Sequence, residues 1–115
     1  MAATLPKSER LCGKTAIAGL MDHGKGGTAG CLRYKYLPSE GVSRILVSVP
    51  KRNFKRAVKR NLLKRRIRES YRLQKDLLSV PVDVLFVYLD REVLPFEDIY
   101  ASMTATLTAI TEKTV

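Results

Sequence analysis

Arg60, Asn61, Lys64, Arg65, Arg68 and Arg72 fall on one arc when the chain is wound at about 100° per residue. That set of side chains has one chemistry in common, the recognition of phosphate. An arginine forks two donors onto phosphate oxygens, a lysine adds a point charge, and an asparagine bonds a phosphate, a ribose hydroxyl or a base edge. All six lie in residues 51–75, KRNFKRAVKRNLLKRRIRESYRLQK, which hold twelve of the 21 basic residues and a single acid, Glu69. The segment carries a net +11, and the other 90 residues come close to neutrality. Leu63, Ile67 and Tyr71, four apart, make a second stripe suited to a core. The helix is therefore expected to dock by one side and meet a polyanion by the other. Lys59 and Arg66 lie outside the arc, and the stem of Arg66 is expected to cover apolar surface.

Chemistry performed by protein side chains finds little support. His23 is the only histidine, and the order of residues defines no Ser, Cys and His set. A zinc site from Cys12, His23 and Cys31 lacks a close ligand pair and a fourth ligand. Asp83, Asp90 and Glu92 read as solvated strand ends. The run from Gly19, G-LMDH-GK, falls one residue short of a phosphate-binding loop, because Gly26 stands where Ser or Thr would hold magnesium and no buried strand precedes it. No protein active site and no protein metal site are expected.

The elements that must position the basic helix follow from periodicity and punctuation. Residues 1–7 read as a flexible lead-in. Ser8 reads as the N-cap of a helix of about 12 to 14 residues bearing Leu11, Ala16, Ile17, Leu20 and Met21, weakened by Gly13 and Gly19. Residues 22–30 form a glycine-rich turn with room for a short edge strand at 25–29. Residues 31–37 alternate, with Leu32, Tyr34 and Tyr36 on one face and Arg33 and Lys35 on the other, and 43–50 form a second strand. These two runs read as a hairpin. The basic helix starts between Phe54 and Ala57 and runs to about Leu78, with Ser79 and Pro81 closing it. Residues 82–89, VDVLFVYL, read as a central strand buried on both faces. A last helix runs from Phe96 to about Thr111, with Ile99, Met103, Leu107 and Ile110 inward. The expected fold is an α+β two-layer sandwich, helices on a sheet of about four strands, in a single domain over residues 1–115.

A pI near 10.0 with its charge on one element points to nucleic acid before membrane, and the absence of Trp argues further against a membrane surface. No apolar run is long enough to span a bilayer and no secretory core is present, so the expected compartment is the cytoplasm, with Cys12 and Cys31 as reduced thiols. Three readings fit this much: a cofactor of a ribonucleoprotein endonuclease, an RNA-packing protein, and a DNA-binding regulator, the last disfavoured by the few positions left for base readout. Tyr34 and Tyr36 offer flat surfaces for unpaired bases and are equally suited to core packing.

Ala57-Val58-Lys59-Arg60-Asn61-Leu62-Leu63-Lys64-Arg65-Arg66-Ile67-Arg68-Glu69 closely resembles the A-V-x-R-N-x-x-K-R-x-x-R-E signature of the protein component of bacterial ribonuclease P. The resemblance extends from residue 8 to about 110. It implies a left-handed β-α-β crossover through the basic helix. It also implies a catalyst made of RNA with bound Mg2+, which removes the 5′ leader of precursor tRNA, the protein being a cofactor. The implied partners are the catalytic RNA and precursor tRNA, with neither DNA nor membrane. The implied RNA-binding residues are Arg60, Asn61, Lys64, Arg65 and Arg68, to which the helical arc adds Arg72. The implied leader cleft holds Ile17, Met21, Tyr34, Tyr36, Lys51 and Arg52. This chain departs from the family pattern in carrying Ile17 and Met21 in place of phenylalanines on the first helix, and Lys55 in place of a glycine.

Overall fold

The computed structural model describes residues 9–11 and 13–114. Their order is α1 (Lys14–His23), β1 (Lys25–Ala29), β2 (Leu32–Pro38), β3 (Arg44–Ser48), α2 (Ala57–Gln74), β4 (Val82–Tyr88) and α3 (Phe96–Thr114), with a 3-10 turn at Lys75–Leu77 after α2. The α+β architecture expected from the sequence is the one observed.

The four strands lie in the order β1-β2-β4-β3. β1 and β2 are antiparallel, as are β2 and β4, whereas β3 and β4 run parallel through the α2 crossover. The expected hairpin of residues 31–37 with 43–50 is therefore not formed. β4 is the most apolar strand, and its full burial on one face is satisfied only between two neighbours, so it displaces β3 from β2. The hairpin that does form is β1-β2, turning at Gly30, whose φ of 56° suits a residue without a Cβ. Here β2 meets α3 closely: the Ser102 hydroxyl accepts the Cys31 N–H at 3.0 Å and donates to the Asp98 carbonyl. Burial pushes the Cys31 thiol up from its ordinary value.

Alternation divides β4 between the two faces of the sheet. Val82, Val84, Phe86 and Tyr88 are fully buried, while Leu85 and Val87 are only half-buried, which corrects the expectation of burial on both faces. The buried face packs on Leu63, Ile67 and Tyr71 of α2 and on Ile99, Met103, Leu107 and Ile110 of α3, in one continuous core. The Tyr71 and Phe86 rings lie 6.1 Å apart, within the range of a tilted aromatic pair.

α1 begins at Lys14, later than expected, because Gly13 adopts φ 98° and breaks the helix from the segment before it. The proposed Ser8 cap and the 1–7 lead-in lie outside the described residues. Leu11 is not helical: its N–H donates to the Ile45 carbonyl at 2.8 Å, and Arg10 bridges Ile45 in parallel along the free edge of β3. α1 packs against β2 and β4 and, among the described residues, touches neither α2 nor α3. It therefore covers part of the sheet face that those helices leave open.

At the parallel edge, Arg44 and Asp83 stand opposite each other in register and form a bidentate pair, Nε to Oδ1 at 3.0 Å and Nη2 to Oδ2 at 2.8 Å. Asp83 is thus a partnered, buried carboxylate and not a solvated strand end. Asp90, just past the end of β4, accepts the Glu92 N–H. The phosphate-loop likeness is also explained. Gly24 caps the C-terminus of α1 and Lys25 opens β1, so the glycines lead from helix to strand, the reverse of what such a loop requires.

Candidate nucleic-acid interface

α2 places its signature residues unequally. Val58, Asn61, Arg65 and Arg68 form an exposed stripe opposite Leu63, Ile67 and Tyr71, with Val58 79% exposed. Lys64 is half-buried beside it. Arg60 donates from one guanidinium nitrogen to the carbonyls of Phe54, at 2.7 Å, and Lys55, at 2.9 Å. It fastens the turn that leads into a helix whose N-cap, Arg56, offers no side-chain cap. Arg72 is paired with Glu69 one turn earlier, and this contact holds the Glu69 carboxyl below its ordinary range. Arg66 is half-buried and donates to the Leu94 carbonyl at 2.7 Å. The free polar face of α2 is therefore neutral Asn61 with the cations Arg65 and Arg68, and Lys59 and Lys64 lie at its margins.

The loop that Arg66 holds is held a second time. The Tyr88 hydroxyl donates to the Glu92 carbonyl at 2.6 Å and accepts the Leu94 N–H at 3.1 Å. Burial pushes this phenol up to about 12. Phe54 packs on the same ring, 5.9 Å between centroids, so the turn before α2 and the loop before α3 share one anchor.

On the open face of the sheet lies a cavity of about 660 Å³. Its floor is Leu85 and Val87, one wall is Met21 of α1, and its rim carries Arg33, Lys35, Arg52 and Asn53. The Lys35 ammonium donates to the Met21 carbonyl near the end of α1. This apolar floor with a cationic rim suits a strand of nucleotides whose bases lie down and whose phosphates face out.

Of the six cleft residues implied by the resemblance, Met21, Arg52 and Tyr34 line this cavity, and Ile17, Lys51 and Tyr36 do not. The tyrosines need correction. Tyr34 and Tyr36 are 4% and 2% exposed, and their register with Phe86 and Val84 puts both rings in the helix-packed layer. Lys113 of α3 sits over the Tyr34 ring at 5.9 Å, and the Tyr34 hydroxyl lies so close to Gly27 that an added Cβ would come within 2.5 Å of it. Neither ring is free for a base to stack on. The residues that alternation turns to the open face are Arg33 and Lys35, and the same two-residue period that marked the tyrosines marked them.

Of the three zinc candidates, Cys12 lies outside the described residues, and among those described no three His, Cys, Asp or Glu side chains converge. Among the described residues no helix is long and apolar enough to cross a membrane.

Residues 5–111 match the family model of ribonuclease P. The ribonuclease P protein component of Porphyromonas gingivalis is 38% identical over 117 aligned residues, covering 92% of this chain and 85% of that protein. The Chlorobaculum tepidum protein of the same name is 38% identical over 82 residues, 65% of this chain and 53% of that one. Among solved structures, the Staphylococcus aureus RNase P protein superimposes with a TM-score of 0.77 at 19% identity, covering 90% of this chain and 96% of that one. The Thermotoga maritima protein gives 0.78 at 20%, covering 88% and 96%.

Proposed function

This chain belongs to the bacterial ribonuclease P protein family, and from that premise we propose how it serves the maturation of the tRNA 5′ end. It is the protein subunit of a ribonucleoprotein whose RNA cuts the 5′ leader from precursor tRNA. The exposed stripe of α2 binds the catalytic RNA, and the open-face cavity holds the single-stranded leader. The observation that carries this reading is the separation of the two surfaces. A polar, cationic helix face suits packed RNA phosphates, while an apolar floor ringed by Arg33, Lys35 and Arg52 suits an unpaired strand.

In this reading the chain contributes charge and position, and Mg2+ held by the RNA would supply the chemistry of bond cleavage. The metal would activate water and stabilise the leaving oxygen. The described residues do not fit a dedicated magnesium cage, since the buried carboxylate Asp83 is engaged by Arg44 and no carboxylate lines the open-face cavity. No step is therefore assigned to a protein-bound ion. By compacting the leader against its cations, the protein lowers the Mg2+ needed to screen RNA phosphates.

The test is cleavage of a 5′-extended precursor tRNA by a bacterial ribonuclease P RNA at low Mg2+, with and without this protein. Protein-dependent cutting at the mature 5′ end is the expected result. Tight but indiscriminate RNA binding without stimulation would overturn it and favour RNA packing.

A further inference from the structure

Arg10 belongs neither to the signature nor to the cavity, yet the fold brings it to the RNA-binding helix. Residues 10 and 11 run parallel to β3 along its free edge, held by the Leu11 to Ile45 hydrogen bond and by the burial of Leu11. Because β3 and β4 are parallel, α2 between them must run back against β3, and the 9–11 segment therefore runs antiparallel to α2. The start of that segment is pinned to the end of the helix, Glu9 Oε1 lying 2.9 Å from Lys75 Nζ. The next residue, Arg10, then passes the preceding turns of α2. Arg68 is two helical turns before Lys75 and on the same side.

Both arginines are exposed, and neither side chain has a hydrogen bond or ion pair with another described residue. The nearby acids are already engaged, Glu9 by Lys75 and Glu69 by Arg72. The Arg68 guanidinium is held below the usual arginine range by burial first and by the charge of Arg10 second, so the two groups are within electrostatic reach. Two cations drawn together by the backbone, with no carboxylate between them, are unfavourable in the free protein and become favourable around an anion. A phosphodiester presents two unbridged oxygens, one for each fork.

We propose that Arg10 and Arg68 clamp a single phosphate of the catalytic RNA, so that the segment before α1 extends the RNA-binding face of α2. This rests on the assignment of α2 to the RNA interface. It predicts opposite effects in the two states: losing Arg10 relieves repulsion in the free protein and costs affinity in the complex.

The full chain and its Arg10→Gln, Arg68→Gln, double and Arg65→Gln variants would be titrated with ribonuclease P RNA across salt concentrations and melted in its absence. Arg10→Gln is expected to weaken binding by about tenfold, as loss of a charged hydrogen bond does. It should lower the log-log salt slope by about 0.7 to 0.9 while the free protein melts at or above the wild-type temperature. The double variant should lose no more slope than about one phosphate contact. An unchanged slope in Arg10→Gln beside a lowered slope in Arg65→Gln would overturn the clamp and leave the helix assignment standing. Unchanged slopes in every variant would overturn both. A melting temperature lowered by several degrees in Arg10→Gln would make the residue a structural one and overturn the clamp, as would additive slopes in the double variant.

Discussion

The two faces of the sheet are cut from the same strands and do opposite work. On the face under α2 and α3, Tyr34, Tyr36, Val84 and Phe86 are sealed. On the other, one residue away in each strand, Arg33, Lys35, Leu85 and Val87 floor and rim an open cavity. Two long helices complete the first layer, while the ten-residue α1 covers only part of the second. Stability and recognition are thereby placed on alternate residues of β2 and β4, so either can be altered with little effect on the other.

The largest expected effect breaks the sealed face. Phe86→Ala removes a fully buried ring packed on Tyr71 and should cost about 3 to 5 kcal/mol of unfolding free energy. Its neighbour Leu85→Ala should cost clearly less, because Leu85 is half-buried over a cavity. Denaturant midpoints of the two variants check this, and equal losses would erase the distinction between the faces.

A smaller effect concerns Tyr88, which joins the sealed face to the loop. Tyr88→Phe keeps the ring and removes two hydrogen bonds, at a cost of about 1 to 3 kcal/mol by the same measurement. The pH dependence has a definite sign. Burial raises Tyr71 and Tyr88 from 10.0 to about 12, so their contribution is complete below pH 10 and is lost as pH rises towards 12. Phenolate absorbance should show these two ionising only as the protein unfolds.

On the open face, Arg33→Ala and Lys35→Ala should leave stability within about 0.5 kcal/mol. Each should reduce affinity for leader-bearing precursor tRNA more than for mature tRNA, by a few-fold. Tyr34→Ala should do the reverse, losing stability and weakening both RNAs alike. The smallest effect is that of Glu69→Gln, a few tenths of a kcal/mol, since its partner Arg72 is part-exposed on the helix surface. The Glu69 carboxyl is held low, so this contribution is present above the ordinary carboxylate range and is lost as pH falls through the lowered value.

Local signals carried much of this into the sequence. The 3.6-residue period separated Leu63, Ile67 and Tyr71 from Asn61, Arg65 and Arg68, and the ordered Arg-Asn and Lys-Arg pairs carried the family. Strand alternation put Tyr34 and Tyr36 on one side and Arg33 and Lys35 on the other. What alternation leaves open is which side the helices take, and that choice depends on α2 and α3 packing far along the chain. The pairing of β2 with β4 instead of β3 was hidden for the same reason, because a short turn at Pro38–Gly41 favours its immediate neighbours. Arg60 looked like its signature companions until the geometry of the Phe54–Lys55 turn gave its guanidinium a protein partner. Arg10 carried no signal, since its position depends on a backbone bridge to residue 45.

The placement of β4 between β2 and β3 has a consequence for the order of events in synthesis. At about 5 to 20 residues per second, the 40 residues from Ser48 to Tyr88 take the ribosome about 2 to 8 s. A hairpin of two finished strands closes in about 1 to 10 μs. β2, paired with β1 on one edge only, and β3 therefore emerge with a short turn between them before β4 exists, free to zip together in a register that the finished protein does not contain. β4 has to part them. The nascent chain thus meets the same pairing that local sequence favours, and protection of amides in residues 44–48 ahead of 82–88 during refolding would reveal it.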